Sequence, residues 1–159
     1  LRLGTEEEVV EVLDRVGDMA WMQIAIKPAK PFAFGTIDTG GRSVPVFGLP
    51  GNPVSSMVSF ELFARPGLRR MAGHTSVDRP TMTVLAGEDF TRRTDGKTHF
   101  ARVVVSAGEG DRYVARSAGG QGSHHLAAMA HANGLAVIED GDGVAAGDLV
   151  DVLLVEPLA

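Results

Sequence analysis

The chain has 159 residues, with 15 Lys and Arg against 20 Asp and Glu, a formal charge of −5 and no cysteine. That length can bury a core in one medium domain or two small ones. The acidic balance gives no basic footprint for nucleic acid, and the lack of cysteine excludes disulfides, thiolate metal sites and cysteine nucleophiles.

In chain order, Thr5-Glu6-Glu7-Glu8 reads as a capping box that opens a helix. Val9, Val12, Leu13 and Val16 form its apolar face, and Gly17 is expected to stop it. Trp21 to Ile26 alternates as a strand, with Met22, Ile24 and Ile26 on one side. Phe32 to Ile37 reads as the next strand, and Asp38-Thr39-Gly40-Gly41 turns the chain back as a hairpin.

The returning strand, Val44-Pro45-Val46-Phe47, leads through Gly48-Leu49-Pro50-Gly51-Asn52-Pro53 into a helix with Val54, Met57, Val58 and Leu62 at helical intervals. Asn52 suits the N-cap and Pro53 the first helical position. Backbone N–H groups and the positive dipole end at such a start attract anions, and Ser55 and Ser56 add hydroxyls. An ordinary capped turn explains the same residues. Upstream, Lys27-Pro28-Ala29-Lys30-Pro31 places two lysines before prolines. Proline favours extended geometry in the residue before it, and polyproline spacing would project Lys27 and Lys30 from one face. They are then expected to face the Pro50–Ser56 loop with an anion between them; the plain alternative is a solvated basic loop.

Pro66 and Gly67 are expected to bend or restart the helix, which ends near Gly73. Composition shifts at His74 to Pro80, a linker, and short strand-like segments follow. These are Thr81 to Leu85, His99 to Val105, Tyr113 to Arg116, Leu135 to Ile138 and Leu149 to Val155, with turns at Gly108–Asp111 and Gly141–Gly143. Ser123 caps a short helix from His124 to Ala132. Five strands and one short helix suggest a small barrel or sandwich. The fold class is therefore α/β in residues 1–76, an incomplete layer, followed by a small all-β, barrel-like domain in residues 77–159. The five histidines show no ligand spacing, and Gly119–Ser123 lacks the lysine of a P-loop. Lys97, Arg92, Arg93 and Arg102 read as a cationic cluster around a hairpin, most simply solvated surface.

Three stretches together resemble the molybdopterin molybdenumtransferase family, of the MoeA and gephyrin E-domain type. They are Lys27 to Gly35 (KPAKPFAFG), Gly48 to Ser55 (GLPGNPVS) and Glu61-Leu62-Phe63-Ala64-Arg65-Pro66. Gly96 to Val103 is similar to the family's G-[RK]-x-x-[FY]-x-R-V, and Gly120-Gln121-Gly122-Ser123 and Ala146 to Val150 extend the likeness towards the C-terminus.

The resemblance implies a partial three-layer molybdopterin-binding-like fold before the barrel. It implies insertion of molybdate into adenylylated molybdopterin, with release of AMP and with Mg²⁺ as helper ion. It implies catalytic roles for Lys27 and Lys30. Gly51, Asn52, Ser55 and Ser56 would bind substrate, and Lys97, Arg102 and Ser123 would share an outer oxyanion site on one surface. It further implies a cytoplasmic homodimer, supplied by an upstream molybdopterin adenylyltransferase, with no nucleic-acid or membrane partner. Nothing before Thr5 matches the aspartates the family uses for metal, so no metal ligand is assigned in this chain; the chain reads as a carboxy-terminal fragment, inactive alone. A scaffold of gephyrin-like type, or a related molybdopterin adenylyltransferase, are the alternatives; few aromatics speak against the first and the β domain against the second.

Overall fold

The computed structural model describes residues 6–29, 31–122 and 126–158. Thr5, Lys30, Ser123, His124 and His125 lie outside the described residues, so the capping box, the second lysine and the Ser123 cap do too. Helix α1 spans Glu6–Val16, its last turn carrying Arg15 beside the negative dipole end. The helix ends at Val16, as expected, and Gly17 opens strand β1, Gly17–Gln23. A Cβ at Gly17 would lie 2.6 Å from the Thr36 carbonyl oxygen, so close strand packing, not helix capping, requires glycine there. The Trp21 indole donates to Asp14 at 2.6 Å, tying β1 back to α1.

The strand expected to run to Ile26 breaks at Gln23. Ile26–Lys27 forms a separate strand, β2, in a different sheet. Strand β3, Pro31–Asp38, pairs antiparallel with β1 and with β4, Ser43–Gly48, in the order β1-β3-β4. The β3–β4 hairpin is the expected one: Gly40 and Gly41 have φ of 76° and 94°, and Gly41 N–H donates to the Asp38 carboxylate.

Helix α2, Pro53–Ser59, continues through one π turn, Phe60–Ala64, into α3, Arg65–Met71. Pro66 has no N–H to donate, and the π turn accommodates that gap without ending the helix. Gly67 lets the helix sit on β4, since a Cβ there would meet the Phe47 ring at 2.7 Å. The expected linker is tied down. Arg65 donates to Val77 O at 2.9 Å and Arg69 to Ser76 O at 3.1 Å, while Arg79 grips Glu61 with two bonds of 2.7 and 3.0 Å.

The β half contains β5 (Thr81–Ala86), β6 (Phe90–Thr91), β7 (Thr98–Ala107), β8 (Tyr113–Ser117), helix α4 (Leu126–His131), β9 (Gly134–Ile138), β10 (Gly143–Val144) and β11 (Leu149–Leu154). Strands β7-β8-β5-β11-β9 are neighbours in that order, and β9 pairs back onto β7, closing a five-stranded barrel. Closure removes every edge strand from the ring. The short β6–β10 ladder was not legible in the sequence pattern.

Alternation along β7 sends Val103 and Val105 into the barrel, where they pack with Val84, Ala115, Ala136 and Val152. A second cluster joins the halves of the chain: Ala29, Val58 of α2 and Leu135 of β9 are buried together, with Leu62 and Phe100 against them. Strand β2 adds to this junction by running parallel to β7, with Ile26 opposite Thr98 and Lys27 opposite His99. Among the described residues no helix is long and apolar enough to cross a membrane.

Candidate functional site

An open cleft of about 1230 Å³ lies where the α2 start, the Lys27 loop and the end of the barrel meet. Lys27, Pro50, Gly51, Asn52 and Ser55 line it, so the structure brings together the two stretches that the sequence pattern coupled. Lys27 is exposed and has no hydrogen bond or ion pair among the described residues. Its loop is not a polyproline helix. Ala29 has φ of 93°, far from the polyproline value, and its methyl is buried against Val58 and Leu135. Core packing at Ala29 overrides the local preference that the prolines express.

Asn52 caps α2 as expected. Its Oδ1 accepts from Val54 N–H at 3.1 Å and Ser55 N–H at 3.2 Å. Ser56 N–H donates to Asn52 O at 2.8 Å. The donors expected to be open to an anion are therefore occupied by the cap and the first helical bond. What this end offers the cleft is the Ser55 hydroxyl, the Gly51–Asn52 backbone and the positive end of the dipole. Ser56 is partly buried and is not among the residues lining the cleft.

Of the expected outer site, Ser123 lies outside the described residues, and Arg102 is not on a surface. Arg102 is wholly buried, at 0% exposure. It lies on the outer side of β7, yet the loop before α4 covers it: its Nη2 donates to Gly120 O at 2.9 Å and Gly122 O at 3.2 Å. Gln121 locks that loop onto the strand, accepting from Arg102 N–H at 2.9 Å and donating to Arg102 O at 2.9 Å. Among the described residues Nε and Nη1 of Arg102 have no partner, and its side chain meets carbonyls and no carboxylate. Burial lowers its pKa from the usual value, but a guanidinium stays charged at neutral pH. Gln121 and Gly122 line the cleft, so this uncompensated charge stands directly behind one wall. Lys97 is partly exposed and lies 3.9 Å from Asp95; it is not among the lining residues.

The opposite wall is an ionic network that sequence reading missed. Arg92 has a side chain only 2% exposed. It donates to the carbonyls of Lys97, Ile138 and Glu139, and to the carboxylates of Asp95 and Asp140 at 2.7 and 2.5 Å. Asp140 also accepts from the backbone N–H groups of Asp95 and Gly96. Arg92 is thus neutralised and structural, not part of a solvated cationic patch. Asp95 in turn lies 3.1 Å from Nε2 of His99, and both line the cleft. The His99 hydrogen bond, more than the nearby Lys97 and Arg92, holds the Asp95 carboxyl below its usual pKa. Spacing in sequence gave no sign of this network, because Ile138 at the end of β9 and Glu139 and Asp140 just after it come from more than forty positions away.

Comparison with known proteins matches two stretches of the chain. Residues 4–70 match the family described as "Probable molybdopterin binding domain", and residues 84–155 match the MoeA C-terminal region (domain IV). The chain belongs to the molybdopterin molybdenumtransferase family of MoeA type. A molybdopterin molybdenumtransferase of Haemophilus influenzae is 32% identical over 151 residues, covering 94% of this chain and 36% of the relative. Molybdopterin molybdenumtransferase 2 of Mycobacterium tuberculosis is 37% identical over 141 residues, covering 87% of this chain and 33% of the relative. The chain thus spans about a third of the length of the curated relatives it matches. The crystal structure of the molybdopterin biosynthesis MoeA protein from Pyrococcus horikoshii shares the fold, with a TM-score of 0.67 at 24% identity over 96% of this chain and 40% of that one.

Proposed function

We propose that the protein acts in molybdenum cofactor biosynthesis as a molybdopterin molybdenumtransferase. It would take molybdate and adenylylated molybdopterin, insert molybdenum into the pterin dithiolene and release AMP. The observation that carries this reading is the Lys27 ammonium, unpaired among the described residues, sharing a cleft with the capped α2 start.

Both substrates are anionic. Lys27 supplies a mobile charge, and the Ser55 hydroxyl and the α2 dipole supply direction. Arg102 acts from behind the Gln121–Gly122 wall: a buried cation with no carboxylate partner among the described residues raises the potential of the cleft beyond that wall. Lys30 and Ser123 belong to the same reading through the family motifs. Lys27 and Lys30 would balance charge as the phosphoanhydride breaks and AMP leaves. Magnesium belongs to the family's chemistry, but among the described residues no group of three or more His, Asp or Glu side chains is placed to hold a metal. A cytoplasmic homodimer supplied by a molybdopterin adenylyltransferase completes the reading. Two domains, residues 1–76 and 77–159, would carry the two halves of this task. The cleft's aromatics, Phe90 and Phe100, are not exposed, which gives the scaffold alternative no support.

The test is molybdate-dependent release of AMP from adenylylated molybdopterin by the complete protein. Release that depends on Lys27 and Lys30 supports the reading. A correctly folded protein that binds neither substrate overturns it.

A further inference from the structure

His99 occupies a position that the proposed reaction does not use. It stands opposite Lys27 in the parallel β2–β7 ladder, and residues paired in a ladder present their side chains to the same face. Both line the cleft. Its Nε2 lies 3.1 and 3.2 Å from the two oxygens of Asp95, while Nδ1 has no partner among the described residues. Asp95 is itself immobilised by Arg92, which three carbonyls and Asp140 hold in turn. The ring is thereby fixed by a built frame, with one nitrogen engaged and the other available.

The charged groups around it leave one role open. Asp95 is acidic and already engaged; Lys97 is drawn to the same carboxylate. Just after β9, Glu139 accepts from the Thr98 hydroxyl and Asp140 serves Arg92. Across the cleft, Glu88 accepts from Ser117 N–H and Asp89 from Ala146 N–H. The cations without a partner on the cleft wall, among the described residues, are Lys27 and Arg93. A neutral imidazole donates Nε2–H to Asp95 and shows the cleft a lone pair at Nδ1, which repels an anion. A protonated ring keeps the Asp95 bond and shows a charged N–H donor instead.

We propose that His99, oriented by Asp95 and aligned with Lys27 across the β2–β7 ladder, is an oxyanion-binding residue of the cleft that takes up a proton as the anion enters. The ligand class is a tetrahedral oxyanion, either molybdate or a phosphate of the nucleotide-linked pterin. This rests on the anionic-substrate reading of the same cleft. It adds to that cleft a donor that is present only when the ring carries its second proton, so that anion affinity depends on pH.

Isothermal titration calorimetry of the complete protein tests it, run in buffers of different ionisation enthalpy at about pH 6 and about pH 8. The two probes are sodium molybdate and a dinucleoside diphosphate diester, whose phosphates do not titrate in this range. Wild type is expected to bind at least one probe roughly tenfold more tightly at the lower pH, the size of one charge-assisted hydrogen bond, with proton uptake. His99→Gln, which keeps a polar ring-sized donor but cannot charge, should bind that probe equally at both pH values with no uptake. Asp95→Asn, which retains the ring but frees it, should shift the uptake to lower pH. The probe that shows the effect identifies which oxyanion His99 meets. Equal proton uptake by wild type and His99→Gln overturns the proposal, as does the absence of binding by either probe. Failure of AMP release with His99-dependent uptake intact would reject the enzymatic reading and leave this one standing.

Discussion

Lys27 and His99 sit directly opposite one another in the parallel ladder that joins β2 to β7. They are 72 positions apart (99 − 27) in the chain, and the two-residue strand that carries Lys27 breaks away from β1 to make the pairing. A charged group from the α/β half is thereby set at the end of the barrel, beside a second group from β7. Lys27→Ala in the complete protein should lower AMP release at limiting molybdate by roughly ten- to a hundredfold, the loss of one charge-assisted bond. Thermal unfolding should not change, because Lys27 has no partner among the described residues. Equal rates at matched folding would remove Lys27 from the site.

Asn52 holds two N–H groups of α2 with one oxygen. Asn52→Ala should cost about 1 kcal/mol, read as a fall in unfolding midpoint, with Asn52→Asp close to wild type. The alanine variant would also release Val54 and Ser55 N–H towards the cleft. Anion affinity should therefore fall by less than it does for Lys27→Ala, and a larger fall would mean that Asn52 itself touches the ligand.

Glu61 links the π turn between α2 and α3 to the segment before β5 through Arg79, with Arg65 at 3.7 Å. The pair is two-toothed and mostly shielded, with side chains 14% and 23% exposed, so it should exceed an open surface pair. A double-mutant cycle of Glu61→Gln and Arg79→Gln should return a coupling of about 1–2 kcal/mol. A coupling near zero would show that the linker is held by the Arg65 and Arg69 carbonyl bonds alone.

Arg102 offers a separation of stability from binding. A buried cation with two nitrogens unpartnered among the described residues carries a desolvation cost of several kcal/mol. Arg102→Met removes that cost but orphans the Gly120 and Gly122 carbonyls, at about 1–3 kcal/mol each. The two nearly cancel, so the unfolding midpoint should stay close to wild type or rise, while molybdate affinity falls roughly tenfold or more. A large loss of stability with unchanged affinity would make Arg102 a purely structural residue.

Asp95 predicts a pH dependence of stability. Its carboxyl is held below the usual value by the His99 hydrogen bond. A group whose folded pKa is depressed stabilises the fold above its unfolded pKa, about 3.9, and loses that contribution as pH falls through the folded value. Asp95→Asn should thus be less stable than wild type near neutral pH, with the difference closing below about pH 4. Calorimetric midpoints across that range check it; a gap that persists in acid would assign the effect to lost geometry instead of charge.

What the sequence determined by itself was local. Asn52-Pro53 fixed a helix start, Asp38 to Gly41 fixed a hairpin turn, and alternating segments marked the five strands that close the barrel. Each depends on neighbours a few residues away, so each is written in spacing and turn chemistry. The long motifs also carried the family. Tertiary structure decided the rest. Ala29 was drawn into the core between Val58 and Leu135, which broke the polyproline reading of the lysine loop. Barrel closure and the loop before α4 buried Arg102, a residue that composition alone would place in solvent. Arg92, Asp95 and His99 became a network only because β9 delivers Ile138, Glu139 and Asp140 beside them. Contacts between residues tens of positions apart leave no period in the chain, and it is the closing of the barrel that brings them within hydrogen-bond reach.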